Sequence, residues 1–112
     1  MADLNRYELV VLRQGRPHPA RGEDADYDRR QVEHLQYLES LRAGGSLVLY
    51  GGSDEPDTAL RAALLFRTGS LDEARAAAEA DPLVQAGYLA IEVVPFVSGF
   101  RAPERSLRSV DQ

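Results

Sequence analysis

"TALRAALLFRTG", residues 58–69, is the stretch on which the fold turns. Alanine, leucine and arginine are good helix formers, so propensity alone makes this segment a helix. Its periodicity argues the other way. Leu60, Ala62, Leu64 and Phe66 alternate onto one side, and Gly69-Ser70 punctuates the end where a separate helix begins. The alternation predicts a strand.

Working outward toward the C-terminus, Ser70 and Glu73 stand at capping-box spacing and open "LDEARAAAEA". Leu71, Ala74, Ala77 and Ala78 give that helix a face of small residues, on which its backbone can lie close to a sheet. Asp81-Pro82 ends it, in the order of an N-cap and a first helical position, so a further short turn is expected. "YLAIEVVPFV" then reads as a strand, with Pro95 pointing to a sheet edge or a strand end. The remainder, residues 98–112, has no usable period and is expected to be an arm or disordered, leaving 1–97 as the single domain.

Toward the N-terminus, "SLVLYGG" reads as a strand. "DRRQVEHLQYLESLRAGG" before it is an amphipathic helix with Val32, Leu35, Leu38 and Leu41 at three-residue steps and Gly44-Gly45 as its stop. A long loop rich in proline, glycine and charge, "RQGRPHPARGEDADY", separates that helix from a first strand over about Tyr7 to Leu12. The order strand, helix, strand, strand, helix, strand is the split βαβ pattern, an α+β, ferredoxin-like antiparallel sheet with helices on one face. The second sheet face should then be polar. Here it carries Ala63 and Leu65 between Arg61 and Arg67, and Tyr88, Ala90, Val94 and Phe96 around Glu92. Two partly apolar faces predict that a second copy covers one of them, making a homodimer.

Composition narrows the chemistry. A chain of 112 residues without cysteine has no disulfide framework, no thiolate nucleophile and no thiolate zinc site. All 13 basic residues are arginine, which excludes a lysine Schiff base and a Walker lysine. A net charge of -5 with scattered arginines argues against nucleic acid, and the first twenty residues hold no signal or membrane-spanning run. A soluble cytoplasmic protein is expected. The acid run "EDADYD" fails as a calcium loop, because Arg29 and Leu35 fall where a glycine and a glutamate are needed. Gly51-Gly52 is too short for a phosphate loop.

Two histidines remain. His18 sits between prolines in the long loop and is either an ordinary exposed side chain or part of a site covered by that loop. His34 lies between Leu38 and Leu41 around its helix, so it points into the apolar stripe. It is either a buried histidine satisfied by its surroundings or, with a carboxylate partner, an acid or base poised near neutral pH. Asp81 can be a cap, that partner, or both, since a carboxylate has two oxygens.

Taken together, "EHLQYLESLRAGGSLVLYGG", "GSLDEARAAAEADPLVQAG" and "YLAIEVVPF" resemble the YciI-like (YCII-related) family. The correspondence rests on His34-Leu35, Ala43-Gly44, Ser70 with Glu73-Ala74, and Asp81-Pro82-Leu83-Val84 up to Gly87. The resemblance implies a dimeric α+β barrel built from two ferredoxin-like units, with a pocket between helices and sheet and a histidine–aspartate pair as the active site. Carried over, the pair is His34 and Asp81, with Arg13 at a frequently basic position that could meet an anionic group of a substrate. The chain departs from the pattern at Gly51-Gly52-Ser53, where Gly-Pro is common, and in its long first loop. Chemistry in the family and in relatives of its fold centres on proton transfer to or from small conjugated molecules. The resemblance thus implies a lyase or isomerase needing no cofactor and no metal, with a non-catalytic binding module of the same fold as the alternative.

Overall fold

The computed structural model describes residues 5–54 and 58–99. Its elements are β1 (Asn5–Gln14), α1 (Ala25–Ala43), β2 (Leu47–Gly52), β3 (Leu60–Phe66), α2 (Leu71–Glu79), α3 (Pro82–Gln85) and β4 (Leu89–Ser98). The four strands form one sheet in the order β2-β3-β1-β4, with every neighbouring pair antiparallel. This is the ferredoxin-like α+β arrangement expected from the element order. Apart from Ser98 and Gly99, the expected arm over 98–112 lies outside the described residues.

β3 is a strand because the sheet claims it from both sides. Leu64 pairs with Val10 on β1 and Tyr50 on β2, while Leu64 and Phe66 are essentially removed from solvent. Two ladders of hydrogen bonds and two buried side chains outweigh the modest helix propensity of its alanines. Pro95 sits on β4, an edge strand paired only with β1, where a missing N–H leaves no ladder bond unmade on the outer side.

Alternate residues of the strands point to the helices and form the core: Val10 and Leu12, Leu47, Leu64 and Phe66, closed by Leu38 from α1 and by Ala74 and Ala78 from α2. Both alanines are at most 2% exposed, so α2 lies with its backbone against the sheet. Its start is the expected one, with Ser70 accepting from the Glu73 N–H at 3.0 Å. α1 begins earlier than the apolar period suggested, because Asp24 caps it by accepting from Asp26 N and Tyr27 N.

Two details of the expected packing change. The four apolar residues at three-residue steps in α1 do not share a face: Leu38 is buried, whereas Val32 and Leu35 are 55% and 52% exposed. Each three-residue step drifts by about 60° around a helix, so four such positions spread over about half its circumference. The face turned inward is instead Tyr27, Gln31, His34, Leu38 and Leu41. Tyr88 does not belong to the open side of the sheet either. It precedes the pairing of β4, its carbonyl accepts from Gly15 N, and its ring turns to the helix side with 6% exposure.

The open side is otherwise as apolar as expected. The pairings Leu9 with Leu65 and Val94, Val11 with Ala63, and Leu49 with Leu65 place these residues on one face. Tyr7 and Phe96 extend it with ring centroids 6.4 Å apart, and Leu49 is 65% exposed.

The exit from β1 is set by a close backbone approach. Gly15 N donates to Tyr88 O and Arg16 N to Gly87 O, both at 2.9 Å, and a Cβ on Gly15 would stand 2.2 Å from the Gly87 carbonyl oxygen. Gly15→Ala should therefore push the loop off β4 and cost about 1–3 kcal/mol, the usual range for overpacking against an unyielding neighbour. A urea midpoint equal to wild type would show that this approach is not made.

Candidate functional site

The site is assembled from the middle of α1 and the start of α3. Asp81, at the junction of α2 and α3, has extended backbone and caps α3, with its Oδ1 accepting from Leu83 N at 2.8 Å. Pro82 follows at the first helical position, where its lack of an N–H costs nothing. The other carboxylate oxygen, Oδ2, meets His34 Nδ1 at 2.5 Å. Each oxygen has one task, so Asp81 is both the cap and the partner of the histidine.

Both groups are buried, His34 at 8% and Asp81 at 2% exposure. Buried polar groups are tolerated when bonded, and this pair satisfies itself. A carboxylate facing Nδ1 fixes that nitrogen as the N–H donor, which leaves Nε2 of a neutral imidazole as a proton acceptor. The interaction joins residues 47 positions apart in the chain and so exists only in the folded protein.

His34 lines a cavity of about 140 Å³ between the helices and the sheet. Leu12, Ala62, Leu83 and Leu89 supply its apolar wall; Gln14, His18, Tyr27, Gln31, Arg61 and Tyr88 supply polar and aromatic groups. The long loop closes over one side. Arg16 lies 4.4 Å above the Tyr88 ring and donates to Ala86 O, and His18 stacks on Tyr27 with centroids 5.8 Å apart. Tyr27 in turn meets Tyr88 edge-on at 4.8 Å. His18, undecided from the sequence, is thus part of the cavity lining. A second hollow between the same loop and α1 has Val32 and Leu35 in its lining.

Burial pushes the Tyr27 phenol above its ordinary pKa, with the nearby Arg61 charge acting in the opposite direction. It therefore faces the cavity as a neutral O–H at physiological pH. Tyr37 is raised as well, first by burial and then by the Asp81 charge, and its hydroxyl donates to Ala77 O at 2.7 Å, tying α1 to α2.

Of the three residues singled out in the sequence, His34 and Asp81 come together and Arg13 does not join them. Arg13 projects from the open side of the sheet, where it pairs with Glu92 at 3.2 Å, and it does not line the cavity. Among the described residues the arginine in the cavity lining is Arg61, which alternation alone assigns to the open side. Tyr27 and Gln31 were legible in principle, since positions 27, 31, 34 and 38 follow the helical i, i+4, i+7, i+11 pattern through His34.

The acid run at the start of α1 serves structure. Asp24 caps, Asp26 pairs with Arg29 and Arg30, and Asp28 accepts from Gly22 N. Among the described residues no group of three or more histidine, cysteine, aspartate or glutamate side chains is placed to hold a metal ion. Nor is any described helix long and apolar enough to cross a membrane.

Comparison with known proteins agrees with this geometry at the level of fold. Among solved structures, the chain is similar to the 5-chloro-2-hydroxyhydroquinone dehydrochlorinase of Burkholderia phenoliruptrix AC1100, determined in complex with 2,5-dihydroxybenzoquinone. The TM-score is 0.54 and the identity 24%, over 88% of this chain and 97% of that one. No curated protein sequence matches. The model of the YCII-related domain matches residues 8–97, from β1 to β4 and including His34 and Asp81. With the match reaching all four strands and both main helices, the chain belongs to the YCII-related domain family.

Proposed function

We propose that this protein is a cofactor-independent lyase or isomerase that moves a proton on a small, ring-sized metabolite, with His34 as acid and base and Asp81 as its orienting partner. The observation that carries the proposal is a buried, hydrogen-bonded imidazole–carboxylate pair in the wall of a cavity. In the proposed reaction, Nε2 of neutral His34 takes a proton from the substrate, the imidazolium is stabilised by Asp81, and the proton is returned to another atom or to a leaving group. The apolar wall and the two tyrosines suit a flat ring. The structural resemblance to a dehydrochlorinase that holds a hydroxylated six-membered ring supports a substrate of that kind.

The test is turnover of small aromatic acids, lactones and halogenated phenols by wild type and by His34→Ala. Turnover by wild type alone is expected, and equal turnover by the variant overturns the assignment. Native mass spectrometry of the protein as purified should show a bound small molecule that names the class.

One observation favours a non-catalytic alternative: Asp81 and His34 Nδ1 already satisfy each other, and Asp81 also satisfies the buried start of α3. A binding module would take up the same ligands in wild type without converting any of them.

We further propose that the open sheet face is covered by a second copy, giving a dimeric barrel. Tyr7, Leu9, Leu49, Leu65, Val94 and Phe96 form a contiguous apolar surface of the kind that interfaces use. Sedimentation should then give about twice the 12.3 kDa chain mass. A monomer at micromolar concentration would overturn the pairing.

A further inference from the structure

Taking a proton from a ring carbon creates charge that has to be held elsewhere. When His34 Nε2 removes a proton from a carbon beside a carbonyl, the C–H bond breaks and its electrons form a C=C bond. The carbonyl π pair then moves onto oxygen. That oxygen needs a hydrogen-bond donor waiting for it, and a tyrosine hydroxyl is one of the groups that serve.

Tyr27 stands where such a donor is needed. Residues 27 and 34 lie on the inward face of α1, two turns or about 10 Å apart along the axis, and both side chains line the same cavity. The Tyr27 ring is held on two sides, stacked with His18 at 5.8 Å and edge-on to Tyr88 at 4.8 Å. Its hydroxyl, however, is only loosely engaged. It reaches Gln31 Oε1 at 3.5 Å, well beyond the roughly 2.7–2.8 Å of a good O–H···O bond. Tyr37, the other half-buried tyrosine of α1, differs in this respect: its hydroxyl is spent on Ala77 O at 2.7 Å. Tyr27 is thus a fixed ring carrying a proton that is open to a shorter bond, and burial keeps that proton on the phenol. The cavity of about 140 Å³ sets the size of the ligand. An engineered protein cavity of roughly 150 Å³ takes up benzene, so about one six-membered ring fits.

We propose that the Tyr27 hydroxyl is a second catalytic group of this cavity, donating its hydrogen bond to a ring oxygen of the ligand and holding the negative charge that His34 creates there. The ligand class is then a one-ring ketone, enol or phenol, with its oxygen at Tyr27 and its acidic carbon at His34. The inference rests on the cavity being the site proposed above; the oxygen contact itself does not depend on the proton chemistry of His34.

2,6-Difluorophenol ionises near neutral pH and imitates the oxygen anion on a single ring, whereas 1,3-difluorobenzene is the same ring without the oxygen. Fluorine NMR titration of each tests the contact. Wild type should bind the phenol at least about ten-fold more tightly than the difluorobenzene. Tyr27→Phe keeps the ring between His18 and Tyr88, so its thermal midpoint and its affinity for difluorobenzene should be those of wild type. Its affinity for the phenol should fall about ten-fold, the worth of one hydrogen bond. With a substrate found by the screen, its kcat should fall by about 10²- to 10³-fold, as for loss of an oxyanion donor. The proposal is overturned if Tyr27→Phe binds the phenol as wild type does or loses both ligands equally, or if wild type shows no preference for the phenol or binds neither compound. Conversion that is lost in His34→Gln but proceeds at the wild-type rate in Tyr27→Phe also overturns it, and leaves the acid/base reading of His34 standing. A wild type that holds the phenol through Tyr27 yet converts none of the screened compounds rejects that reading and keeps Tyr27 as the donor to the ligand oxygen.

Discussion

His34→Gln is expected to lower turnover of a substrate found by the screen by about 10²- to 10⁴-fold, the usual worth of a positioned general acid or base. Glutamine is the informative replacement. Its side-chain amide can still donate to Asp81 Oδ2 and fills much of the same volume, so the buried carboxylate keeps a partner and the thermal midpoint should move little. It cannot exchange a proton near neutral pH. The loss should fall mainly on kcat. An unchanged kcat would remove His34 from the chemistry. A large drop in thermal midpoint would instead assign it a structural role.

Asp81→Ala should be the most destabilising change at the site, by about 2–4 kcal/mol in urea unfolding. Two losses add. Removing an aspartate cap costs about 1 kcal/mol, and leaving a buried partner without its hydrogen bond costs about 1–3 kcal/mol more. For a domain of this size that corresponds to a fall of about 10 °C in thermal midpoint. Asp81→Asn separates the two tasks. Asparagine caps a helix about as well as aspartate, so the Leu83 N–H stays satisfied. The negative charge that would stabilise an imidazolium is gone, so activity should fall while most of the stability remains. If Asp81→Ala unfolds at the same urea concentration as wild type, the buried bond to His34 is not formed in solution.

The parts of the fold legible in sequence were those with local physical causes. Ser70 and Glu73 announced α2, Asp81-Pro82 announced α3, and alternation through Leu64 and Phe66 identified β3 against its own helix propensity. His34 was legible as an inward residue because its angular position between Leu38 and Leu41 follows from helix geometry alone. The same geometry, applied strictly, would have kept Val32 and Leu35 out of the core stripe and put Tyr27 and Gln31 in it.

What the sequence by itself determined, then, is the order of elements, the two apolar sheet faces and the inward turn of His34, because capping and periodicity act over a few residues. Only the tertiary structure decided that His34 meets Asp81 across 47 positions of chain, that His18 and the tyrosines stack at the cavity mouth, and that Arg61 rather than Arg13 lines the cavity. The last depends on strand register. One extra residue between Ala62 and Leu60 reverses where an arginine points, and register is a property of two strands together that neither strand's own pattern contains.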